Sequence, residues 1–243
     1  MSRLGCGKGN GAMKVRGGGR GRRPGLTREK VVDAALEMID RDGPDSFSLR
    51  RLAGELGVEA MSLYNHVPNK DALLDGVAEV LLGGVDFSGA GLGTWQERAR
   101  AHAAAFRAAA LRHPKAFTLV LTRPTQSPAA LESIRCALAG FPELGLSPQE
   151  LVHVVRSFAG YTVGMIMREL GSAITVGAVE PGQVERRIDE IAAVGDPVLT
   201  AAAPYLAVSD HEAEFRHGVE LLIAGLAARV GVPYDGGPRE PHR

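Results

Sequence analysis

The sequence predicts an all-α protein. Apolar residues recur at i, i+3, i+4 and i+7 through most of its length. Helix starts are marked by a capping residue with Glu three positions later, as in Thr94-Trp-Gln-Glu97, Ser147-Pro-Gln-Glu150 and Ser209-Asp-His-Glu212. No segment shows the period-two alternation of a half-buried strand. At 243 residues and 45% hydrophobic content, the chain can hold one small and one medium domain.

Residues 1–25 stand apart. They carry Arg3, Lys8, Lys14, Arg16, Arg20, Arg22 and Arg23 against no acid, and nine of the 25 are Gly. Such a segment cannot bury apolar area and is expected to be a disordered basic tail. No apolar run follows it, so it does not read as a signal peptide. It reads equally as a solvated tail, as residues upstream of a start at Met13, or as an arm adding phosphate or minor-groove contacts to a neighbouring DNA-binding domain. Arg20-Gly-Arg-Arg-Pro24 is only loosely like an AT-hook. Lys plus Arg and Asp plus Glu both total 28, so net charge points to no partner.

Thr27 to Arg41 is an amphipathic helix with Val31, Val32, Ala35, Leu36 and Ile39 on one side, stopped by Gly43-Pro44. A second, short helix follows Ser48, a candidate N-cap flanked by Phe47 and Leu52 at the staple positions. Leu49, Leu52, Ala53 and Leu56 form its buried face. Gly57 supplies the positive φ of a tight turn, and Val58 returns to the core. A third helix is expected over Glu59 to His66, with Leu63 and then Val67 inward. Ala60, Met61, Ser62, Tyr64, Asn65 and His66 are left mostly off that line. Short and hydrogen-bonding side chains facing out beside one narrow apolar stripe suit a helix that reads a major groove. The same spacing also fits an ordinary αα-hairpin. Pro68-Asn69-Lys70-Asp71 starts a fourth helix, with Leu73, Leu74, Val77, Val80 and Leu81, ending at Gly83-Gly84. Residues 26–86 are therefore expected to form a helix-turn-helix DNA-binding domain.

Residues 92–232 are expected to form a larger helical domain, followed by a C-terminal tail at 233–243. The Thr94 capping box opens an Ala-rich helix to about Leu111, broken at His113-Pro114. A short segment reaches Leu121. Ser127-Pro128 caps a helix to about Ala139. Ser147 opens a long helix to about Leu170, and the Ser209 box opens another ending near Gly231. Gly171 to Pro204 is punctuated by Gly and Pro, with a short helix over Val184 to Val194 as one option. The uncharged run Ser157 to Met167 is too short to cross a bilayer. Cys6 and Cys136 give no disulfide framework, and Cys136 reads as a small core residue. The seven His are scattered, and no Gly-rich phosphate loop, Cys/His cluster or nucleophile motif occurs. Neither a metal site nor a cofactor is expected, and nothing points to an enzyme.

Thr27 to Leu82 resembles the N-terminal domain of the tetracycline repressor (TetR) family of bacterial one-component regulators. The most specific part is LGVEAMSLYNHVPNKDALL, where the Leu-Gly-Val turn, Leu-Tyr-x-His-Val and Asn-Lys-x-x-Leu-Leu occur together. The resemblance implies a cytoplasmic, homodimeric repressor that binds a palindromic double-stranded DNA operator and is released by a small organic effector. It assigns Arg50, Ala60, Met61, Ser62, Tyr64, Asn65, His66 and Lys70 to base or phosphate contacts. Asn65 departs from the aromatic of the tetracycline repressor itself. Ala60 and Met61 replace a base-reading amide and a proline, so that protein's operator does not transfer. Ala60 and Met61 suit apolar contact with a thymine methyl.

GTWQERARAHAAAFRAAALRHP and the later TRP are similar to the tetracycline repressor's own C-terminal branch. The resemblance places His102, Phe106, Leu119, Thr122 and Arg168 at ligand-binding positions. His102 reads otherwise as a surface residue, and Phe106 is core either way. Leu119 stands where that repressor keeps a magnesium-binding His, and Arg168 where it keeps an acid near the metal. Leu and Arg do not suit a hard divalent cation, so an uncharged or weakly acidic, metal-free organic molecule is the expected effector. The long helices after Ser147 and Asp210 correspond to the family's dimer interface, with Phe158, Gly160, Gly164, Phe215, Val219 and Leu222 as candidates. Gly160 and Gly164 fit close packing within one subunit as well. Two alternatives stay open: a constitutive dimeric DNA-binding protein without ligand response, and an all-helical enzyme or carrier.

Overall fold

The computed structural model describes residues 25–87, 93–123, 127–171 and 182–236. The basic tail up to Pro24, the stretch 172–181 and the end of the C-terminal tail lie outside the described residues. Among the described residues the secondary structure is helical throughout, with no strand. They form two compact units that divide between Leu146 and Ser147.

The first unit begins with α1 (Arg28–Asp42), capped by the Thr27 hydroxyl accepting from the Lys30 amide at 3.3 Å. Helix α2 (Leu49–Leu56) is capped by Ser48, whose hydroxyl accepts from the Arg51 amide. Gly57 ends it at φ 66°, ψ 34°, the left-handed region that glycine enters without cost. Helix α3 (Ala60–Leu63) is shorter than the expected Glu59–His66. Its last turn tightens: the Tyr64 and His66 amides bond three residues back, to Met61 and Leu63 carbonyls. Pro68 disfavours helical backbone at Val67, so the chain leaves the helix there. Asn69 caps α4 (Lys70–Gly83) through a 2.8 Å bond from the Ala72 amide.

Val31, Val32, Ala35, Met38 and Ile39 of α1 meet Leu52, Ala53, Leu63, Val67, Leu73 and Val77 in one apolar core. Ala116 and Leu119 also belong to it. The core of the N-terminal head therefore reaches past residue 86 into the segment expected to start the second domain. That segment comprises α5 (Trp95–Arg112), α6 (Thr118–Thr122) and α7 (Pro128–Leu138). Thr94 and Glu97 form the expected capping box on α5. Three polar links join the α5–α6 corner to the head. Arg112 donates to the Gly84 carbonyl at 2.9 Å, Lys115 to the Arg41 carbonyl at 2.6 Å, and His113 Nδ1 lies 3.2 Å from Asp40.

The second unit contains α8 (Pro148–Glu169), α9 (Val184–Ala192), α10 (Pro197–Leu206) and α11 (His211–Val230). The Ser147–Glu150 capping box forms as expected. The start of α11 does not: the cap is Asp210, whose carboxylate accepts from the Ala213 amide at 2.9 Å, one residue after Ser209. Helices α8 and α11 pack through Tyr161, which stacks on Phe215 at 6.1 Å and donates to the Glu214 and Phe215 carbonyls. Gly218 makes this possible, because a Cβ there would overlap the Tyr161 ring. No helix among the described residues is long and apolar enough to cross a membrane.

Candidate DNA-binding and effector sites

Burial sorts the residues of the α2–α4 segment into two sets. Leu63 and Val67 are buried, whereas Met61 is 72% and Tyr64 46% exposed. Asn65 and Arg50 are exposed, and Ala60, Ser62 and His66 are half-buried. The turn at Gly57 is thus followed by outward-facing Met61 on α3 and by outward-facing Tyr64 and Asn65 in the turn after it. Behind them the head is braced. Arg51 reaches Asp42 at 2.6 Å and the Ser46 carbonyl at 2.8 Å, while Arg41 bridges to Glu55 at 2.5 Å. The guanidinium of Arg41, with that of Arg51 behind it, holds the Asp42 carboxyl below the ordinary carboxylate range.

Lys70 differs from the others. Its ammonium donates to the Phe47 carbonyl at 3.0 Å and lies 5.6 Å from the centroid of the Phe47 ring. It ties the start of α4 to the residue preceding the α2 cap, with donors left over for a phosphate.

On α5, His102 and Phe106 lie one turn apart. The His102 ring meets Phe87 edge-on at 5.2 Å and backs onto Gly140, where a Cβ would come within 3.3 Å of it. Its Nε2 is buried with no hydrogen-bond partner among the described residues. Burial, with the nearby Arg98 charge, pushes the imidazole down to about 4, so it is neutral near pH 7. Arg98 itself is occupied, donating to the Gly140 carbonyl at 2.9 Å, the Gly93 carbonyl at 2.5 Å and Glu143 at 2.5 Å. Phe106 stacks edge-on against Phe117 at 5.2 Å.

The other ligand candidates have surroundings of their own. Leu119 sits in the head core, 6% exposed. Thr122 is exposed and its hydroxyl is spent on the Thr118 carbonyl at 2.9 Å. Arg168 lies in the second unit, paired with Glu214. Sequence reasoning missed Phe87, Arg98 and Gly140, which enclose His102. Arg98 carried a weak signal, an Arg in the first turn of a capped helix with no i+4 acid to hold it.

Among the candidate interface residues of the second unit, Gly160 and Gly164 face open space, and Phe158 and Leu222 are half-buried. Phe215 and Val219 are buried within the chain. Leu221, not singled out from the sequence, is 61% exposed.

The chain matches the model of bacterial regulatory proteins of the tetR family over residues 31–77, and that of the tetracyclin repressor-like C-terminal domain over residues 89–230. It is 30% identical to an HTH-type transcriptional regulator of Saccharopolyspora erythraea, over 86% of this chain and 88% of the relative. It is 33% identical to the class D tetracycline repressor protein of Escherichia coli, over 84% and 91% respectively. Among solved structures, a possible TetR family transcriptional regulator from Streptomyces coelicolor A3(2) superposes with a TM-score of 0.70 at 31% identity, covering 83% of this chain and 99% of that one.

Proposed function

The chain belongs to the TetR family of bacterial regulatory proteins, and from that premise we propose a dimeric transcriptional repressor released from its operator by a small organic effector. The observation that carries the reading is the outward set of Met61 on α3 and Tyr64 and Asn65 in the turn after it, with exposed Arg50 and Lys70 at the starts of α2 and α4. An apolar methionine and a phenol facing water serve no core; they suit base edges, thymine methyls and phosphates. A dimer places two such helices in successive major grooves, about 34–36 Å apart. Phe158, Gly160, Gly164 and Leu222, with exposed Leu221, supply the contact surface, while Phe215 and Val219 support it from within.

The effector reading rests on His102. A buried neutral imidazole with an unpartnered Nε2, walled by Phe87 and near Phe106, fits one hydrogen-bonding group on an otherwise apolar molecule. Arg98 and Arg168 are already paired with Glu143 and Glu214, so neither offers a free cation to an anionic ligand. An effector that binds one head arrangement better shifts the population away from the DNA-bound state. The protein acts in the cytoplasm and is not an enzyme.

Selection of duplexes from a random library by the full-length protein tests the reading. The expected product is an inverted repeat with half-sites about 10–10.5 bp or more apart, protected in a footprint. Failure to enrich any sequence would remove the regulator assignment. Enrichment of a repeat that no apolar compound displaces would leave a DNA-binding protein without ligand response.

A further inference from the structure

Arg123 follows α6 directly, and its guanidinium lies against α4. One terminal nitrogen donates to the Asp71 carbonyl oxygen at 3.1 Å and to Asp75 Oδ1 at 2.7 Å; the other donates to Asp71 Oδ1 at 2.9 Å. Asp71 and Asp75 are one turn apart, and Asp71 is next to Lys70 at the start of that helix. Arg123 is held in place from behind: its amide bonds the Leu119 carbonyl at 3.1 Å, and Leu119 is a head-core residue. The side chain of Arg123 is 20% exposed, those of Asp71 and Asp75 are 81% and 54% exposed.

Exposed ion pairs of this kind add little stability, so stability alone explains the arrangement poorly. The sign of the charges explains more. Two carboxylates at the end of α4 that carries Lys70 repel the phosphates that Lys70 would attract. Lys70 and Arg123 against Asp71 and Asp75 balance to zero; without Arg123 the group is net negative.

We propose that Arg123, outside the helix-turn-helix, is a positioning residue for DNA binding: it masks Asp71 and Asp75 so that the start of α4 meets the phosphate backbone without net repulsion. The proposal rests on the assignment of α3 and the start of α4 to the DNA face.

The test uses full-length protein and a duplex selected from a random library, with affinity read at several salt concentrations. Arg123→Ala should bind about fivefold more weakly at low salt, and the difference should shrink as salt screens it. Adding Asp71→Asn and Asp75→Asn to that variant should restore wild-type affinity, which a merely displaced α4 would not. The two Asn substitutions alone should bind at least as tightly as wild type; they keep the proposal testable if Arg123→Ala melts early. Wild-type affinity of folded Arg123→Ala, a loss that survives in the triple variant, or weaker binding by the double Asn variant overturns the mask. Tyr64→Ala separates the two levels. If it binds as wild type, the DNA face itself is misassigned; if it loses binding while Arg123→Ala does not, only the mask fails.

Discussion

Lys70 sits over Phe47, 5.6 Å from the ring centroid, and donates a 3.0 Å hydrogen bond to the same residue's carbonyl. Residues 23 apart in sequence are thereby joined where α2 and α4 begin. Lys70 thus braces the head, and in the proposed function it has a second duty toward DNA.

Lys70→Ala should therefore act on both. Losing the hydrogen bond and the ring contact should cost about 0.5–1.5 kcal/mol of stability. Losing a phosphate contact should reduce the slope of log affinity against log salt by about one. Tyr64→Ala should weaken operator binding strongly and leave stability nearly unchanged. Urea unfolding and salt-dependent binding on both variants check this. Unchanged operator affinity in both would remove the two residues from the interface.

His102 gives a pH dependence with a definite sign. Its imidazole titrates near 6.5 in an unfolded chain and at about 4 in the fold. Between those values the unfolded chain binds the extra proton, so acid favours unfolding. The contribution is fully present above about 6.5 and is lost as pH falls through about 4. His102→Gln should flatten this part of the stability profile, measured by urea unfolding from pH 7 to pH 4. A variant profile parallel to wild type would assign the dependence to another group.

Seven uncompensated positive charges precede α1, whose apolar face is part of the head core. Removal of residues 1–25 should lower DNA affinity and flatten its salt dependence, with little change in melting temperature. Equal binding by truncated and full-length proteins at low salt would show that the tail is not a DNA arm.

Tetracycline with Mg²⁺ should not release the protein from its operator, because Leu119 and Arg168 stand where the resemblance implies metal-related groups, and neither suits a hard cation. A metal-free compound contacting His102 and Phe106 should, and should raise the melting temperature as RT ln(1 + [L]/Kd). Calorimetry with and without EDTA is decisive; magnesium-dependent tetracycline binding would overturn the expectation.

The helical frame was legible because caps and apolar spacing are local. Thr27, Ser48, Asn69, Thr94 and Ser147 each cap the helix their sequence announces. Helix α10 went unread although Asp196-Pro197 is a cap followed by proline at the first helical position; Pro204 inside it masked the signal. The outward placing of Met61, Tyr64 and Asn65 was legible, since one narrow stripe through Leu63 and Val67 fixes which side chains turn inward. Lys70 with Phe47, Arg123 with Asp71 and Asp75, and His102 with Phe87 were not, because side chains that far apart in sequence meet only through tertiary packing. Leu119 shows the limit most clearly. A five-residue helix has too little periodicity to say which core its leucine enters.

That leucine constrains how such a repressor diversifies. Leu119 is 6% exposed among the apolar residues that hold the DNA head together. Exchanging it for an imidazole would put a polar ring into that core and remove packed methyl groups, costing about 2–4 kcal/mol before any ion bound. A single Leu119→His exchange is therefore an unfavourable route from this chain to metal-dependent drug recognition. If His102 meets the effector as proposed, new effectors are reached through Phe87 and Gly140, which lie against His102 and outside the head core.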